Sequence, residues 1–179
     1  IQPPRIIAPS KDASTISKCQ EFNLASTLAA SSSGKKPSTK FVKKQYDLIV
    51  YGSTGFTGRL VSKYLASQGT KNKNLKWAVA GRNLQKLTSL VESLPNNHGI
   101  GIVAADASRP GALRDMVTST RAVISTAGPY TSYGMPLLSL CAEHGVHYAD
   151  LSGEVFFQRD AMEKYQDAAI ESGAKIIVA

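Results

Sequence analysis

The sequence predicts an α/β protein built on a doubly wound parallel β-sheet, and three observations lead to this prediction. Short runs rich in Val, Ile and Ala alternate with segments whose apolar residues recur at helical spacing. The short runs are apolar on both faces, as buried parallel strands require. The first run passes through glycines at positions 52, 55 and 58 directly into a predicted helix. Right-handed crossovers would then place helices on both faces of the sheet.

Six strands are predicted, and five helices separate them. The strands are the runs DLIVYG, KWAVAG, GIGIVAAD, RAVISTAG, VHYADL and AKIIVA. The third helix is short, around residues 110–117. The fourth covers MPLLSLCAEHG, where Pro136 suits the first turn and Gly145 suits the end.

Apolar residues at helical spacing define the buried faces of the other three helices. In the first helix, which should stop at Gly69, they are Leu60, Val61, Tyr64 and Leu65. In the second helix they are Leu84, Leu87, Leu90, Val91 and Leu94. In the fifth helix they are Phe157, Ala161, Tyr165 and Ala168.

Residues 1–45 differ in composition from the rest of the chain. They are rich in Ser, Thr, Lys and Pro, so we expect a disordered or targeting leader. This tail carries eight Lys/Arg against two acidic residues, whereas residues 46–179 carry thirteen against eleven. The net charge of +8 therefore belongs mainly to the tail, and the nearly balanced α/β domain does not indicate nucleic-acid binding. Because the sequence ends within a predicted strand, we expect the domain to be truncated at its C-terminus.

Other sequence features argue against a membrane-spanning protein, a disulfide-stabilised protein and a metal-binding protein. No apolar run approaches the about 18 residues of a membrane span. Cys19 and Cys141 lie in different regions, which favours a reducing intracellular compartment over a disulfide framework. Cys, His, His and Asp recur every third residue at positions 141, 144, 147 and 150, but Gly145 would separate them onto different elements. No metal site is therefore predicted.

The glycine turn is typical of sites that bind a dinucleotide. Gly52 allows a sharp bend after the first strand, Gly55 leaves room for a pyrophosphate, and Gly58 lets the helix pack closely on the sheet. Free N–H groups at the N-terminus of the helix would bind the anion. The alternative is a glycine-rich turn without a ligand. The predicted phosphate-binding residues are Gly52, Ser53, Thr54, Gly55, Phe56, Thr57 and Gly58.

The second strand ends in AVAGRN, and this ending favours NADP(H) over NAD(H). An NAD site usually has Asp or Glu here, bonded to the 2′-hydroxyl of the ribose. Arg82, with Asn83 beside it, could instead hold a 2′-phosphate through two charge-assisted hydrogen bonds, and Lys86 could add a second charge. The alternative is that Arg82 is an ordinary solvated residue. Residues 46–179 are thus predicted to form a Rossmann-type NADP-binding domain.

Two later strand ends complete the predicted cofactor site, because ligands gather at the carboxyl ends of parallel strands. Asp106 could reach the adenine amino group, or it could cap the helix that follows. Ala127, Gly128 and Pro129 would let the nicotinamide ribose lie close to the backbone. Tyr130 would either flank the nicotinamide ring or pack in the core.

The run HYADLSGE supplies the candidate catalytic residues. His147, Asp150 and Glu154 would lie at the end of the fifth strand, where a carboxylate could bind a substrate amine or relay a proton. The alternative is structural: Asp150 and Ser152 cap the next helix, and Glu154 favours its positive end. No Tyr-x-x-x-Lys pair occurs in the sequence, which weakens the hypothesis of a short-chain dehydrogenase.

Together these motifs resemble those of the saccharopine dehydrogenase-like oxidoreductases, a family that includes the bacterial trans-acting enoyl reductases. The resemblance covers about residues 46–179 and rests on YDLIVYGSTGFTGRL, AVAGRN, ISTAGPY, YGMPLLSLCAEHGVHYADLSGE and GAKIIVA. It implies an NADP(H)-dependent oxidoreductase that passes hydride to or from a C=N, C=O or C=C bond. Most of the substrate would be held by a second domain.

The resemblance also implies a small-molecule substrate, with a lipid-like compound among the candidates, and a homodimer is one assembly that we consider. It places the protein in the cytoplasm, or on an organelle or lipid-associated membrane. Two alternatives are a non-enzymatic NADP(H)-sensing regulator and an extended short-chain reductase. The 179-residue chain alone is expected to bind cofactor weakly and to turn nothing over.

Overall fold

The computed structural model describes residues 44–68 and 74–179. Nearly all of the predicted leader, and the predicted helix stop at Gly69, lie outside the described residues. None of the helices in the described part is long and apolar enough to cross a membrane.

Six parallel strands form one sheet, as the sequence predicts. Their bounds are β1 Tyr46–Tyr51, β2 Trp77–Gly81, β3 Gly101–Ala104, β4 Thr120–Ser125, β5 His147–Ala149 and β6 Ile176–Ile177. The strand order is β3-β2-β1-β4-β5-β6, so the direction of winding reverses between β1 and β4. This order is that of the Rossmann-type doubly wound sheet, and ligands of such sheets bind at the reversal.

Six helices connect the strands within the described residues. They are α1 Phe56–Ser67, α2 Leu84–Glu92, α3 Pro110–Thr118, α4 Tyr130–Tyr133, α5 Met135–Glu143 and α6 Val155–Ser172. The sequence did not predict α4, because four residues are too few to show a helical period. The predicted end of α5 is confirmed, since Gly145 follows it with a φ of +67°.

The sheet has an apolar core on each face. One core packs α1 and α2 on β1 and β2, and its fully buried members include Val50, Val79 and Leu87. The other core joins β1, β4 and β5 to the remaining helices, and its largest fully buried side chains are Tyr148 and Phe157. Burial on both faces explains why the strands read as continuous apolar runs.

The buried face of α1 differs from the predicted one. Leu60 and Tyr64 are 52% and 64% exposed, and the buried positions are Gly58, Ser62 and Ala66. At Gly58 a side chain would meet the backbone of the glycine turn, and Ala66 packs in the apolar core. The Ser62 hydroxyl is satisfied by donating to the Gly58 carbonyl at 2.8 Å. Val61 and Leu65, the other two residues of the predicted face, are partly buried and pack against the core. The apolar pattern therefore predicted the helix correctly and its buried face in part.

Smaller corrections apply to two other helices. Leu84, predicted to be buried in α2, is 56% exposed, whereas Leu87 and Leu90 are buried. In α6 the buried alanine of the last turns is Ala169 and not the predicted Ala168. Leu84 is the first residue of α2, and Ala168 differs from the buried position by one residue. A 3.6-residue period does not specify the edges of a buried face this finely.

Candidate functional site

Gly52 makes the bend between β1 and α1. Its φ is +81°, in the left-handed region that only glycine adopts readily. A Cβ at this position would lie 2.9 Å from the Ala127 nitrogen and 3.0 Å from the Ala127 Cβ. The bend therefore packs directly against the segment that follows β4, at the point where the winding reverses.

Gly58 and Gly55 have different surroundings. A Cβ on Gly58 would lie 2.3 Å from the Gly52 carbonyl oxygen and 2.6 Å from the Ser53 Cα, both of which are backbone atoms. A Cβ on Gly55 would meet only the Gly52 oxygen, at 3.3 Å, and Gly55 is exposed with a φ of −73°. The fold requires glycine at 52 and 58, whereas at 55 it leaves an open surface.

The N-terminus of α1 is uncapped. Gly55 is the N-cap residue, it offers no side chain, and no acidic residue lies in the first turn. The first amide that bonds back along the helix is that of Arg59, which donates to the Gly55 carbonyl at 3.0 Å. Within the described residues, the N–H groups of Phe56, Thr57 and Gly58 have no hydrogen-bond partner. Free amides at the positive end of a helix dipole form a binding site for an anion such as a diphosphate.

Ser53 does not share this open surface. Its hydroxyl is buried, donates to the Val50 carbonyl at 2.5 Å and accepts from the Ala80 amide at 3.0 Å. Its own amide donates to the Ala80 carbonyl at 3.2 Å. Because both donors are used within the protein, Ser53 ties β1 to β2 and is not free to bind a phosphate. Thr54 is half-buried, and its carbonyl accepts from Nε of Arg59 at 3.0 Å.

Arg82 lies directly after β2 and is exposed. It is close enough to Asp106, after β3, to help lower the pKa of that carboxylate. Asn83 is the N-cap of α2, where its Oδ1 accepts from the Lys86 amide at 3.0 Å. The Oδ1 atom of Asn83 is thus engaged in capping, and Arg82 is the cationic group that directly follows the strand.

Asp106 belongs to a turn between β3 and α3. Its Oδ1 accepts from the amide and from the hydroxyl of Ser108, both at 2.9 Å. These two hydrogen bonds are the main cause of the lowered pKa of Asp106, and Arg109 and Arg82 contribute less. Asp106 therefore stabilises the turn before α3 and does not cap the helix, whose N-cap residue is Arg109. The contact with adenine stays a prediction.

Residues 126–129, which follow β4 and which we call the β4 turn, lie beside the glycine bend. The amide and the hydroxyl of Thr126 both donate to the Tyr51 carbonyl at 2.9 Å. Gly128 and Pro129 are exposed, and the peptide bond between them is cis. The β4 turn and the N-terminus of α1 thus lie side by side at the reversal of winding.

Tyr130 packs into the core beneath the β4 turn. Its hydroxyl donates to the Ser125 carbonyl at 2.9 Å, and its ring lies 5.8 Å from the ring of Phe157, measured between centroids. Of the two predicted roles for Tyr130, packing is the one that the structure shows.

His147 does not lie where the sequence placed it. It is the first residue of β5 and pairs with Ala122, three residues before the end of β4. His147 is therefore near the amino edge of the sheet, away from the glycine turn, and its Nδ1 accepts from the Lys175 amide at 3.1 Å. The predicted position at the end of the strand was wrong, because His147 is the first of the three residues of β5 and Asp150 is the residue that follows the strand.

Asp150 and Glu154 both act as acceptors for other parts of the chain. Asp150 is buried, accepts from the Tyr148 hydroxyl at 2.8 Å and from the Ala179 amide at 3.3 Å, and its pKa is raised by burial. Glu154 accepts from the amides of Tyr130 and Thr131, both at 2.8 Å, and from the Thr131 hydroxyl. Those hydrogen bonds lower the pKa of Glu154. Both carboxylates are thus engaged in hydrogen bonds within the chain, and their role toward a substrate stays a prediction.

The alternative in which these residues serve the next helix holds only for the position of Glu154, which stands at the N-terminus of α6. Asp150 accepts from the Ser152 amide at 3.2 Å, but the N-cap residue of α6 is Glu154, which gives its own helix no side-chain cap. Among the described residues, no three His, Cys, Asp or Glu side chains lie close enough to hold a metal ion.

The geometry defines a class of protein: a glycine bend, an uncapped helix N-terminus and an arginine at the next strand end make a dinucleotide-binding domain. Residues 48–177 match the family described as the saccharopine dehydrogenase NADP binding domain. The chain belongs to this family, and the cofactor of its domain is NADP(H). The family and the cofactor predicted from the sequence are therefore confirmed.

Curated relatives extend the comparison. The chain is 39% identical over 138 residues to the trans-acting enoyl reductases of Mycobacterium ulcerans (strain Agy99) and Mycobacterium tuberculosis (strain ATCC 25618 / H37Rv). The match covers 76% of this chain and 32% of each relative. The chain thus spans about a third of the length of these relatives.

Solved structures share the fold. The apo form of the L-Glu-forming saccharopine dehydrogenase of Saccharomyces cerevisiae has a TM-score of 0.58 and 18% identity, over 74% of this chain and 26% of that one. The triphenylmethane reductase of Citrobacter sp., solved in complex with NADP(H), has a TM-score of 0.53 and 16% identity, over 74% of this chain and 48% of that one.

Proposed function

We propose that this chain is the cofactor-binding part of an NADP(H)-dependent reductase. The observation that carries the proposal is the pairing of an open glycine bend with Arg82, in a segment from Leu48 to Ser89 that contains no acidic residue. A guanidinium can hold the 2′-phosphate of NADP(H), whereas the unphosphorylated ribose of NAD(H) offers no anion to it.

The cofactor would lie along the carboxyl edge of the sheet, across the reversal of winding. Its diphosphate would accept hydrogen bonds from the free amides of Phe56, Thr57 and Gly58, close to the open face of Gly55. The 2′-phosphate would be held by Arg82, with Lys86 nearby, and the nicotinamide would lie against the β4 turn.

The bound cofactor supplies hydride, and this chain binds and orients it. The sequence left C=N, C=O and C=C bonds open as acceptors. The mycobacterial relatives of this chain are named trans-acting enoyl reductases, and this name favours reduction of the C=C bond of an enoyl compound. Since the match covers 32% of those relatives, we assign the groups that hold the substrate to the part that lies outside the match.

Replacing Arg82 with alanine tests the proposal. We expect the dissociation constant for NADPH to rise about 10- to 100-fold, because charge-assisted hydrogen bonds to the 2′-phosphate are lost. The dissociation constant for NADH should not change. Isothermal titration calorimetry of the 179-residue chain with both cofactors measures both values.

The matched control is Arg114→Ala, which removes an exposed arginine from α3 and should leave both constants unchanged. Equal affinity of the wild-type chain for NADPH and NADH would contradict the role of Arg82. No heat with either cofactor would contradict the proposed function as a whole.

A further inference from the structure

Glu154 joins two segments that are distant in sequence. It precedes α6, yet its carboxylate accepts from the amides of Tyr130 and Thr131 and from the Thr131 hydroxyl. Tyr130 and Thr131 form the start of α4, which follows the β4 turn directly. A residue of the β5–α6 connection therefore holds one end of the β4 turn.

The other contacts of the β4 turn show what this carboxylate controls. Thr126 anchors the first residue of the turn to β1 through the Tyr51 carbonyl. At the far end, the Tyr130 ring and hydroxyl are held from below by Phe157 and Ser125. These contacts hold the Tyr130 side chain in the core. Its backbone amide, at the end of the β4 turn, donates to Glu154.

We propose that Glu154 is a positioning residue that holds the β4 turn in place for the nicotinamide half of the cofactor. This inference rests on the proposed function. The hydrogen bonds from Thr131 and Tyr130 lower the pKa of Glu154, so the carboxylate is ionised at neutral pH and these bonds are charge-assisted. Glu154 acts through the turn and does not contact the reacting atoms.

The proposal assigns the two halves of the cofactor to different parts of the sheet. Arg82 follows β2, the β4 turn follows β4, and β1 lies between these strands in the sheet. Loosening the β4 turn should weaken contacts with nicotinamide and leave those with the adenosine 2′-phosphate intact. A ligand without nicotinamide therefore distinguishes positioning from a general loss of structure.

The test is Glu154→Ala, titrated with NADPH and with adenosine 2′,5′-bisphosphate. We expect the dissociation constant for NADPH to rise about tenfold, since hydrogen bonds to a charged group are lost. The dissociation constant for the bisphosphate should stay unchanged. Thr131→Val removes only the hydroxyl contact and should raise the NADPH constant less, and it serves as the second variant if Glu154→Ala does not fold.

The matched control is Glu171→Gln, an exposed acidic residue at the other end of α6, which should change neither constant. The inference is overturned if both ligands weaken together in Glu154→Ala and Thr131→Val, or if NADPH affinity is unaffected in both. A wild-type chain that binds neither ligand would overturn the proposed function as well, so the two failures are distinguishable.

Discussion

Cys141 in α5 shows how burial sets the reactivity of a single side chain. Its thiol is fully buried, and loss of solvation raises its pKa to about 12, although the charge of Lys44 opposes this shift. The thiolate is the form that reacts with alkylating agents. We therefore expect Cys141 to resist iodoacetamide at pH 8 in the native protein and to react once guanidinium chloride unfolds it.

Mass spectrometry of a Cys19→Ser variant measures this outcome, because Cys141 is then the only cysteine in the sequence. Alkylation of the native variant at the rate of the unfolded variant would show that the thiol is accessible.

At the scale of elements, the glycines between β1 and α1 differ in what a side chain would contact. We expect Gly58→Ala to lower the free energy of unfolding by about 2 kcal/mol or more, because the new Cβ meets backbone atoms that cannot move aside. The midpoint of thermal unfolding should fall by about 10 °C. Differential scanning calorimetry measures both quantities.

Gly55→Ala is the matched variant on the same turn. Its new Cβ meets little inside the protein, so the free energy of unfolding should change by less than about 1 kcal/mol. The same Cβ would obstruct a diphosphate, so the dissociation constant for NADPH should rise about tenfold or more. Normal NADPH binding by Gly55→Ala would show that the diphosphate lies elsewhere.

For the whole molecule, cofactor binding should stabilise the fold in proportion to affinity. A ligand at 100 times its dissociation constant adds about 2.7 kcal/mol to the free energy of unfolding. For a domain of this size we expect NADP⁺ at that concentration to raise the midpoint of thermal unfolding by about 10 °C. A thermal shift assay compares NADP⁺ with NAD⁺ at equal concentration.

NAD⁺ should give a smaller shift, because it lacks the 2′-phosphate that we assign to Arg82. The comparison also has an internal control: in Arg82→Ala the shifts with the two cofactors should become equal. Equal shifts in the wild-type chain would contradict the selectivity for NADP(H).

The elements and the class of the fold were predictable from sequence, because strands and helices differ in the period of their apolar residues. Orientation was less predictable. Leu60 and Tyr64 of the predicted face are exposed, and the fully buried positions of α1 are Gly58, Ser62 and Ala66. At Gly58 the helix lies too close to the glycine bend for any side chain. A single sequence contains no measure of how closely a helix approaches the sheet.

The glycine turn that we assign to the cofactor was also predictable, because its residues are neighbours in the sequence. The roles of the polar residues were not: Ser53 bonds to Ala80, 27 residues away, and Glu154 bonds to Thr131, 23 residues away. Residue type suggested for Glu154 either catalysis or a favourable position at the positive end of α6. Its hydrogen-bond partners lie instead in α4, which the sequence did not reveal.

The sequence by itself determined the α/β class, the glycine bend and the cationic group at the end of β2, because each depends on residues within one or two turns of chain. Only the tertiary structure decided which carboxylates are engaged, where His147 lies and what holds the β4 turn. These three properties depend on contacts between strands and helices that are distant in sequence and that meet only in the folded sheet.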